Sequence, residues 1–203
     1  MRASLDATGA AGLVDLTAVG LPLSARALFG RDCPLEVELG SGKGRFLLEW
    51  AAAHPEIGLL AVERARKYAE LTATRMLRAG LANARVAVTT AEDLLFRCLG
   101  PASVAAFHVY FPDPWPKKRH HKRRFFRTEN LARLVELLVS GGLLRVKTDH
   151  ADYAAVIGPL LSGWPSLEPV ALEAAFMDLP ATSFEIKYLR EERPLHRFAY
   201  RKL

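Results

Sequence analysis

The stretch "LEVELGSGKGRF", residues 35–46, decides the fold class. An apolar run typical of a buried strand passes directly into glycines at 40, 42 and 44, and a helical pattern begins near Arg45. Glycines allow a tight turn and let a ligand approach the backbone. The dinucleotide fingerprint G-x-G-x-x-G would need a glycine at Arg45, and the phosphate loop G-x-x-x-x-G-K-[ST] does not occur. The loop therefore predicts either another kind of ligand site or a tight turn without a ligand.

Short apolar runs alternate with helical stretches from residue 34 onward, which is typical of a parallel α/β sheet with crossover helices. The predicted parallel strands are 35–39, 58–63, 84–89, 105–111 and 143–148. Helices are predicted over about 64–79, 129–139 and about 151–161, the second with Thr128 as its N-cap and Gly141 and Gly142 as its end. Two late strands, 168–173 and 197–202, complete a mostly parallel seven-stranded sheet with helices on both faces and an antiparallel terminal edge.

The length of 203 residues suits one globular domain, which we place at residues 34–203. Residues 1–33 have no strong hydrophobic period, so the structure of this N-terminal extension stays open. Two cysteines without C-x-x-C spacing indicate neither a zinc site nor a disulfide framework, and a reducing cytoplasm suits the chain. The sequence has no signal-peptide pattern and no run of about 18 apolar residues, so we expect neither secretion nor a membrane span.

Positive charge is concentrated in one segment. The chain has 28 Lys+Arg and 22 Asp+Glu, and six of the cations lie within residues 117–124, so the rest carries 22 of each sign. Such a patch predicts a polyanionic partner, nucleic acid or an anionic membrane, with a solvated basic loop as the alternative. His120 and His121 lack further ligands at a suitable spacing, so no metal site is predicted.

Two acids accompany the glycine loop. Glu38 lies at its mouth, where a carboxylate would oppose a pyrophosphate but would suit a cofactor with a cationic amino-acid end, such as S-adenosylmethionine. Glu63 ends the second predicted strand about 20 residues after the loop, where an acid takes the ribose hydroxyls of a bound nucleoside. Without the glycines, either acid could be a solvated strand end.

The segment "PDPWPKKRHHKRR", residues 112–124, follows the fourth predicted strand. Asp113 lies between two prolines that stiffen the backbone, at the sheet edge where open α/β folds bind ligands. Trp115 is either a core aromatic or a stacking face for a base, and the cations after it would bind phosphates. Together these residues predict an S-adenosylmethionine-dependent enzyme that acts on a base in RNA or DNA.

Five ordered motifs, "LEVELGSGKG", "AVE", "FPDPWPKKRHHKRR", "VKTD" and "TSFEIKY", resemble those of the bacterial tRNA (guanine-N7)-methyltransferases. The resemblance runs from about Pro34 to the C-terminus. It implies the Rossmann-like class I methyltransferase fold, and methyl transfer from S-adenosylmethionine to N7 of a guanine in the tRNA variable loop. The oligomeric state is not predicted.

The resemblance also implies roles for single residues. Asp113 is similar to the residue that the family uses in catalysis. Cofactor-binding positions are matched by Glu38, Gly40, Glu63, Thr90 and Asp113. Substrate-binding positions are matched by Lys117, Asp149, Thr182, Ser183, Phe184 and Glu185. The RNA-contacting segment is matched by Arg119, His120, His121, Lys122, Arg123 and Arg124.

The chain departs from the family pattern at two places. Thr90 stands where many members have an aspartate close to the adenine, with Glu92 two residues later, and Arg193 stands where a glycine is often found. Without the family motif, "TSFE" would be interpreted as an ordinary polar loop. A dinucleotide-binding oxidoreductase, a non-catalytic RNA-binding protein on the same fold, and a methyltransferase with another target remain as alternatives.

Overall fold

The computed structural model describes residues 12–203, and a mixed, mostly parallel sheet of eight strands lies at its centre. The strands are β1 (Leu13–Val14), β2 (Leu35–Leu39), β3 (Gly58–Glu63), β4 (Ala84–Val88), β5 (Val104–Tyr110), β6 (Leu138–Thr148), β7 (Leu167–Pro169) and β8 (His196–Lys202). Their order in the sheet is β1-β4-β3-β2-β5-β6-β8-β7, with β8 antiparallel to both β6 and β7. The Rossmann-like fold class predicted from the sequence is confirmed.

Helices cover both faces of the sheet, which explains why its strands are rich in apolar residues. They are α1 (Ala25–Phe29), α2 (Arg45–Ala53), α3 (Arg66–Arg78), α4 (Ala91–Asp93), α5 (Thr128–Leu137), α6 (Ala151–Ser162), α7 (Leu172–Phe176) and α8 (Ser183–Arg190), with a π-helical turn at Leu94–Cys98 and a 3-10 helix at Lys118–Arg123. One apolar core lies under α2 and α3 and includes Phe46 and Met76. The other lies under α5 and α6 and includes Leu131 and Ile157.

The order of the strands determines where a ligand can bind at the edge of the sheet. From β2 the chain winds outward through β3 to β4, and it then returns to β5 on the other side of β2. The carboxyl ends of β2 and β5 therefore lie side by side, with Leu39 in register with Val109. Open α/β sheets bind ligands at such a switch point, where the loops diverge and leave a crevice.

Four details differ from the sequence-based expectation. The sheet has an eighth strand because β1 pairs with β4, and a strand of two residues is too short to show a hydrophobic period in the sequence. The strand predicted at 168–173 ends at Pro169, which cannot donate to a ladder, and α7 follows. Gly141 and Gly142 lie inside β6, where its register against β5 shifts, and the helix already ends at Leu137. Thr128 is the first residue of α5, because Arg127 takes the extended N-cap conformation.

Candidate active site

The glycine loop owes its shape to three left-handed residues. Gly40, Gly42 and Gly44 have φ values of 85°, 54° and 74°. At Gly44 an added Cβ would lie 2.4 Å from the Thr72 side chain, whereas at Gly40 and Gly42 it would meet open space. The backbone N–H of Gly40 donates to the Val62 carbonyl at 2.9 Å, which joins the loop to the end of β3. The first two glycines thus serve the turn, and the third serves close packing on α3.

A pocket of about 330 Å³ opens beside this loop. Its wall consists of Glu38 with the glycine loop, the start of α2, the rings of Tyr68 and Tyr110, and residues 182–184 at the start of α8. Predicted cofactor residues Glu38 and Gly40 therefore share one pocket with predicted substrate residues Thr182, Ser183 and Phe184. These two sets are more than 140 residues apart in the sequence, and the fold brings them together.

Glu38 is the most unusual group in this pocket. Its side chain is buried, and its Oε2 has no hydrogen-bond partner among the residues that the structure describes. Burial raises the pKa of Glu38 to about 8, and the nearby charge of Glu63 adds to the rise. A buried carboxylate without a donor is costly, so a ligand that brings a cationic amino group would supply both the donors and the opposite charge.

Glu63 ties the loop to the next helix. One carboxylate oxygen accepts from the backbone N–H of Gly42 at 2.8 Å, and the other accepts from the backbone N–H of Ala65 at 2.7 Å. The side chain is half-buried at the carboxyl end of β3, and its contact with a ribose stays a prediction. The acid therefore also fixes the conformation of the glycine loop.

Thr90 lies outside the lining of this pocket. It caps α4, since its Oγ1 accepts from the backbone N–H of Asp93 at 3.0 Å and donates to the Asp93 carboxylate at 2.8 Å. The hydroxyl is thus used within the turn after β4. Glu92, the other candidate for the adenine side, is half-buried in the first turn of α4.

The loop after β5 has an unusual backbone. Phe111 and Trp115 have φ values of 54° and 44°, a conformation that costs energy for residues other than glycine and is common at functional sites. Asp113 lies exposed between them at the end of β5. Trp115 is half-buried, with the Arg123 guanidinium 5.0 Å from its ring centre and the His120 ring perpendicular to it at 5.8 Å between ring centres. Its ring thus packs on the basic segment that follows it.

The basic segment divides into exposed and buried cations. Lys117, Lys118, Arg119, His121, Lys122 and Arg123 are exposed on or beside the 3-10 helix, and His120 is half-buried. Arg124 differs, because it is 5% exposed, donates from Nε to the Pro114 carbonyl at 2.8 Å and lies over the Tyr153 ring at 4.9 Å. Arg124 thus contacts the loop that contains Pro114, and the RNA contact that the family resemblance implies for it stays a prediction.

The "TSFE" motif forms the start of a helix and not a polar loop. Thr182 is the N-cap of α8, and its hydroxyl accepts from the backbone N–H of Glu185 at 3.0 Å. Glu185 is 3% exposed, with Lys147 donating to its Oε2 at 2.7 Å and Arg197 donating to its Oε1 at 3.3 Å. Burial lowers the pKa of Lys147, opposed by its hydrogen bond to Glu185. Ser183 and Phe184 remain exposed at the pocket mouth.

A buried polar chain behind the pocket escaped the sequence analysis. Glu36 Oε2 accepts from Trp50 Nε1 and contacts His108 Nε2, both at 2.8 Å, and His108 Nδ1 contacts the Tyr110 hydroxyl at 2.8 Å. Burial lowers the pKa of His108 and raises that of Tyr110 well above its usual value. The polar residues Glu36 in β2 and His108 with Tyr110 in β5 were the signal in the sequence that could have predicted this chain. Their contacts fix the Tyr110 ring at the pocket wall.

The residues that the structure describes, 12–203, contain neither a candidate membrane-spanning helix nor a candidate metal cluster. None of the helices there is both long enough and apolar enough to cross a bilayer. No group of three or more His, Cys, Asp or Glu side chains in the same range is arranged to hold a metal ion.

Comparison with solved structures identifies the fold. The 16S rRNA methyltransferase KamB covers 86% of this chain and 89% of its own, with a TM-score of 0.61 and 16% identity. An rRNA methylase from Streptococcus thermophilus covers 85% of this chain and 88% of its own, with a TM-score of 0.55 and 16% identity. At this identity the likeness concerns the fold alone, which is that of the Rossmann-like methyltransferases.

Sequence relatives define the family. A family model described as "Putative methyltransferase" matches residues 32–198. The tRNA (guanine-N(7)-)-methyltransferase of Mycobacterium avium (strain 104) is 37% identical over 171 residues, 83% of this chain and 66% of that protein. The protein of the same name from Halorhodospira halophila (strain DSM 244 / SL1) is 40% identical over 178 residues, 86% of this chain and 77% of that protein. The chain belongs to the tRNA (guanine-N7-)-methyltransferase family, as its motifs predicted, and spans about two thirds of the mycobacterial relative.

Proposed function

We propose that this protein is a tRNA (guanine-N7-)-methyltransferase that uses S-adenosylmethionine to methylate N7 of a guanine in the tRNA variable loop. One observation carries the proposal. A single pocket unites Glu38 and the glycine loop with residues 182–184, and it opens at the sheet edge that carries Asp113 and the exposed cations after it. Family membership supports the same reaction, and we expect it to take place in the cytoplasm.

The pocket fits the cofactor. S-adenosylmethionine supplies an electrophilic methyl group on a sulfonium and carries an amino-acid end with an ammonium group. The unpartnered Oε2 of Glu38 would accept from that ammonium, and the Ser41 hydroxyl, which also has no partner among the described residues, offers a further polar contact. Glu63 would bind the ribose hydroxyls at the end of β3. Gly40 leaves open space where a side chain would otherwise meet the ligand.

The reaction places modest demands on acid–base chemistry. Guanine N7 carries a lone pair and no proton, so the attack on the methyl group needs no general base. Positioning and charge placement therefore dominate. As the methyl group moves, positive charge passes from sulfur to the purine ring. Asp113 would accept from the N1–H and the exocyclic amine of the guanine, and its negative charge would stabilise the ring more as that charge grows.

The substrate would be held on both sides of Asp113. Asp149, at the end of the neighbouring strand β6, would share the guanine edge, while Ser183 and Phe184 would contact the nucleotide at the pocket mouth. Lys117, with the exposed cations up to Arg123, would neutralise tRNA phosphates, which makes the affinity dependent on salt. Since both oxygens of Glu185 already bind cations, we assign Glu185 to anchoring α8.

The test is methyl transfer from radiolabelled S-adenosylmethionine to a tRNA transcript with a variable-loop guanine. A second transcript, with that guanine changed to adenine, is the matched control. Label in the first transcript alone, released as 7-methylguanine, is the expected result. Tight tRNA binding without label in either transcript would instead favour a non-catalytic RNA-binding protein, and label in both would indicate another target base.

A further inference from the structure

We infer that Arg193 is a positioning residue for the guanosine-binding carboxylate of Asp149. The inference rests on the proposed function. Arg193 Nη1 donates to Asp149 Oδ2 at 2.9 Å. The other oxygen, Oδ1, makes no hydrogen bond to a described side chain, so it remains available to the N–H donors of a guanine.

Arg193 is itself held from two further sides. Its Nε lies 2.7 Å from Glu191 Oε2, and its guanidinium carbon lies 4.7 Å from the ring centre of Tyr188. Because both ends of the planar group have partners, its direction is set before any substrate arrives. A guanidinium with Asp149 as its sole partner would have to order itself at each binding event.

The backbone explains how Arg193 reaches this place. Helix α8 ends at Arg190, and Glu192 then adopts a left-handed conformation with φ of 54°. The N–H of Arg193 donates to the Tyr188 carbonyl at 3.0 Å, which turns the chain back over the last turn of the helix. Because the chain turns back at Glu192, the side chain of Arg193 can reach Asp149.

The ring under Arg193 belongs to the site. The Tyr188 ring centre lies 5.3 Å from that of Phe111, which begins the Asp113 loop, and 5.8 Å from that of Phe184, which lines the pocket. Burial raises the pKa of Tyr188, and the charges of Asp149 and Asp113 add to the rise. Tyr188 thus packs between the residue that begins the Asp113 loop and a residue of the pocket wall, and Arg193 lies on its ring.

An exposed ion pair by itself contributes little, which is why the pair needs a functional test. Asp149, however, has 14% of its side chain exposed and lies at a strand end, where a displaced carboxylate would be misaligned with the base. The expected loss on replacing Arg193 by Ala is about tenfold in kcat/KM, since one charged hydrogen bond is lost at a half-exposed residue.

The experiment is a double-mutant cycle in the full chain with Arg193→Ala, Asp149→Ala and both together. If Arg193 acts through Asp149, the loss in kcat/KM caused by Arg193→Ala disappears when Asp149 is already Ala. Arg193→Lys should recover part of the activity. Arg201→Ala, which removes an exposed pair with Glu168 at the far sheet edge, should leave activity unchanged.

Two results would overturn the inference. An equal loss in both backgrounds would mean that Arg193 contacts the tRNA directly, and a matching drop in melting temperature with weaker S-adenosylhomocysteine binding would mean that it merely secures α8. The cycle is also measured as tRNA affinity. A wild-type chain that binds tRNA without methylating it would contradict the proposed function, while the coupling between Arg193 and Asp149 would still be read from that affinity.

Discussion

The two walls of the candidate site are built by different means. The loop wall, residues 38–45 and 63–65, is held by backbone groups: glycine conformations, the N–H of Gly40 on a carbonyl of β3, and amide donors to Glu63. The helix wall, residues 111–124, 147–149 and 182–193, is held by side-chain pairs from distant parts of the chain, such as Lys147 with Glu185. A backbone-built wall tolerates side-chain changes, whereas a wall built from ion pairs fails when one partner is removed.

The largest expected effect is on the helix wall. Replacing Lys147 by Met leaves the buried Glu185 with Arg197 as its remaining cation, so we expect a loss of about 3 kcal/mol in the free energy of unfolding, as when a buried pair loses one partner. Urea unfolding measures it. Arg66→Met, which removes the exposed pair with Glu70, is the matched control and should cost less than about 0.5 kcal/mol.

A further variant separates charge from packing. Lys147→Met combined with Glu185→Leu removes both charges, and much of the lost stability should return because no unpaired charge is buried. If Lys147→Met alone were as stable as the wild-type chain, α8 would be anchored by something other than this pair, and the contrast between the two walls would disappear.

Replacing Asp113 should change the chemistry at the helix wall and leave the stability of the protein unchanged. The side chain is exposed, so Asp113→Asn should leave the melting temperature unchanged. We expect kcat to fall about 100-fold, the size seen when one preorganised electrostatic group is lost, while tRNA affinity changes little. Single-turnover methyl transfer and tRNA binding are the measurements. An unchanged kcat would contradict the role proposed for Asp113.

Glu38 gives the loop wall a pH dependence. With a folded pKa of about 8, the carboxyl group is mostly protonated below that pH, and an ammonium ligand requires it to ionise. Affinity for S-adenosylhomocysteine should therefore rise with pH, by up to about tenfold per unit below pH 8, and then level off. Titration calorimetry from pH 6 to 9 measures it, and Glu38→Gln should flatten the profile.

In the protein without ligand, the free energy of unfolding should change with pH in the opposite direction to the cofactor affinity. Since the folded state holds the proton on Glu38 more tightly than the unfolded chain does, this group contributes stability that declines as pH rises from about 4.5 toward 8. A cofactor affinity that did not change with pH would mean that the ligand does not approach Glu38.

The loop wall could be predicted from the sequence better than the helix wall. Strands 35–39 and 58–63 match the structure to the residue, and the glycine loop between β2 and α2 was predicted with its acids, because local conformation is encoded by neighbouring residues. The partners of Glu185 lie at Lys147 and Arg197, 38 and 12 residues away, and no local pattern connects them. Asp149 and residues 182–185 were predicted from family motifs alone, which identify positions but not the groups that hold them.

The basic segment offers the finest distinction, between two cations two residues apart. Lys122 is exposed, so Lys122→Ala should reduce the slope of log affinity against log salt by about 0.7–0.9, the value for one phosphate contact. Arg124 is buried on the Pro114 carbonyl and the Tyr153 ring, so Arg124→Ala should leave that slope unchanged and lower stability instead. Filter binding of tRNA from about 50 to about 200 mM salt and thermal unfolding of both variants separate the two cases. A reduced slope for Arg124→Ala would return Arg124 to the RNA contacts, because only a charge that neutralises a phosphate releases counterions.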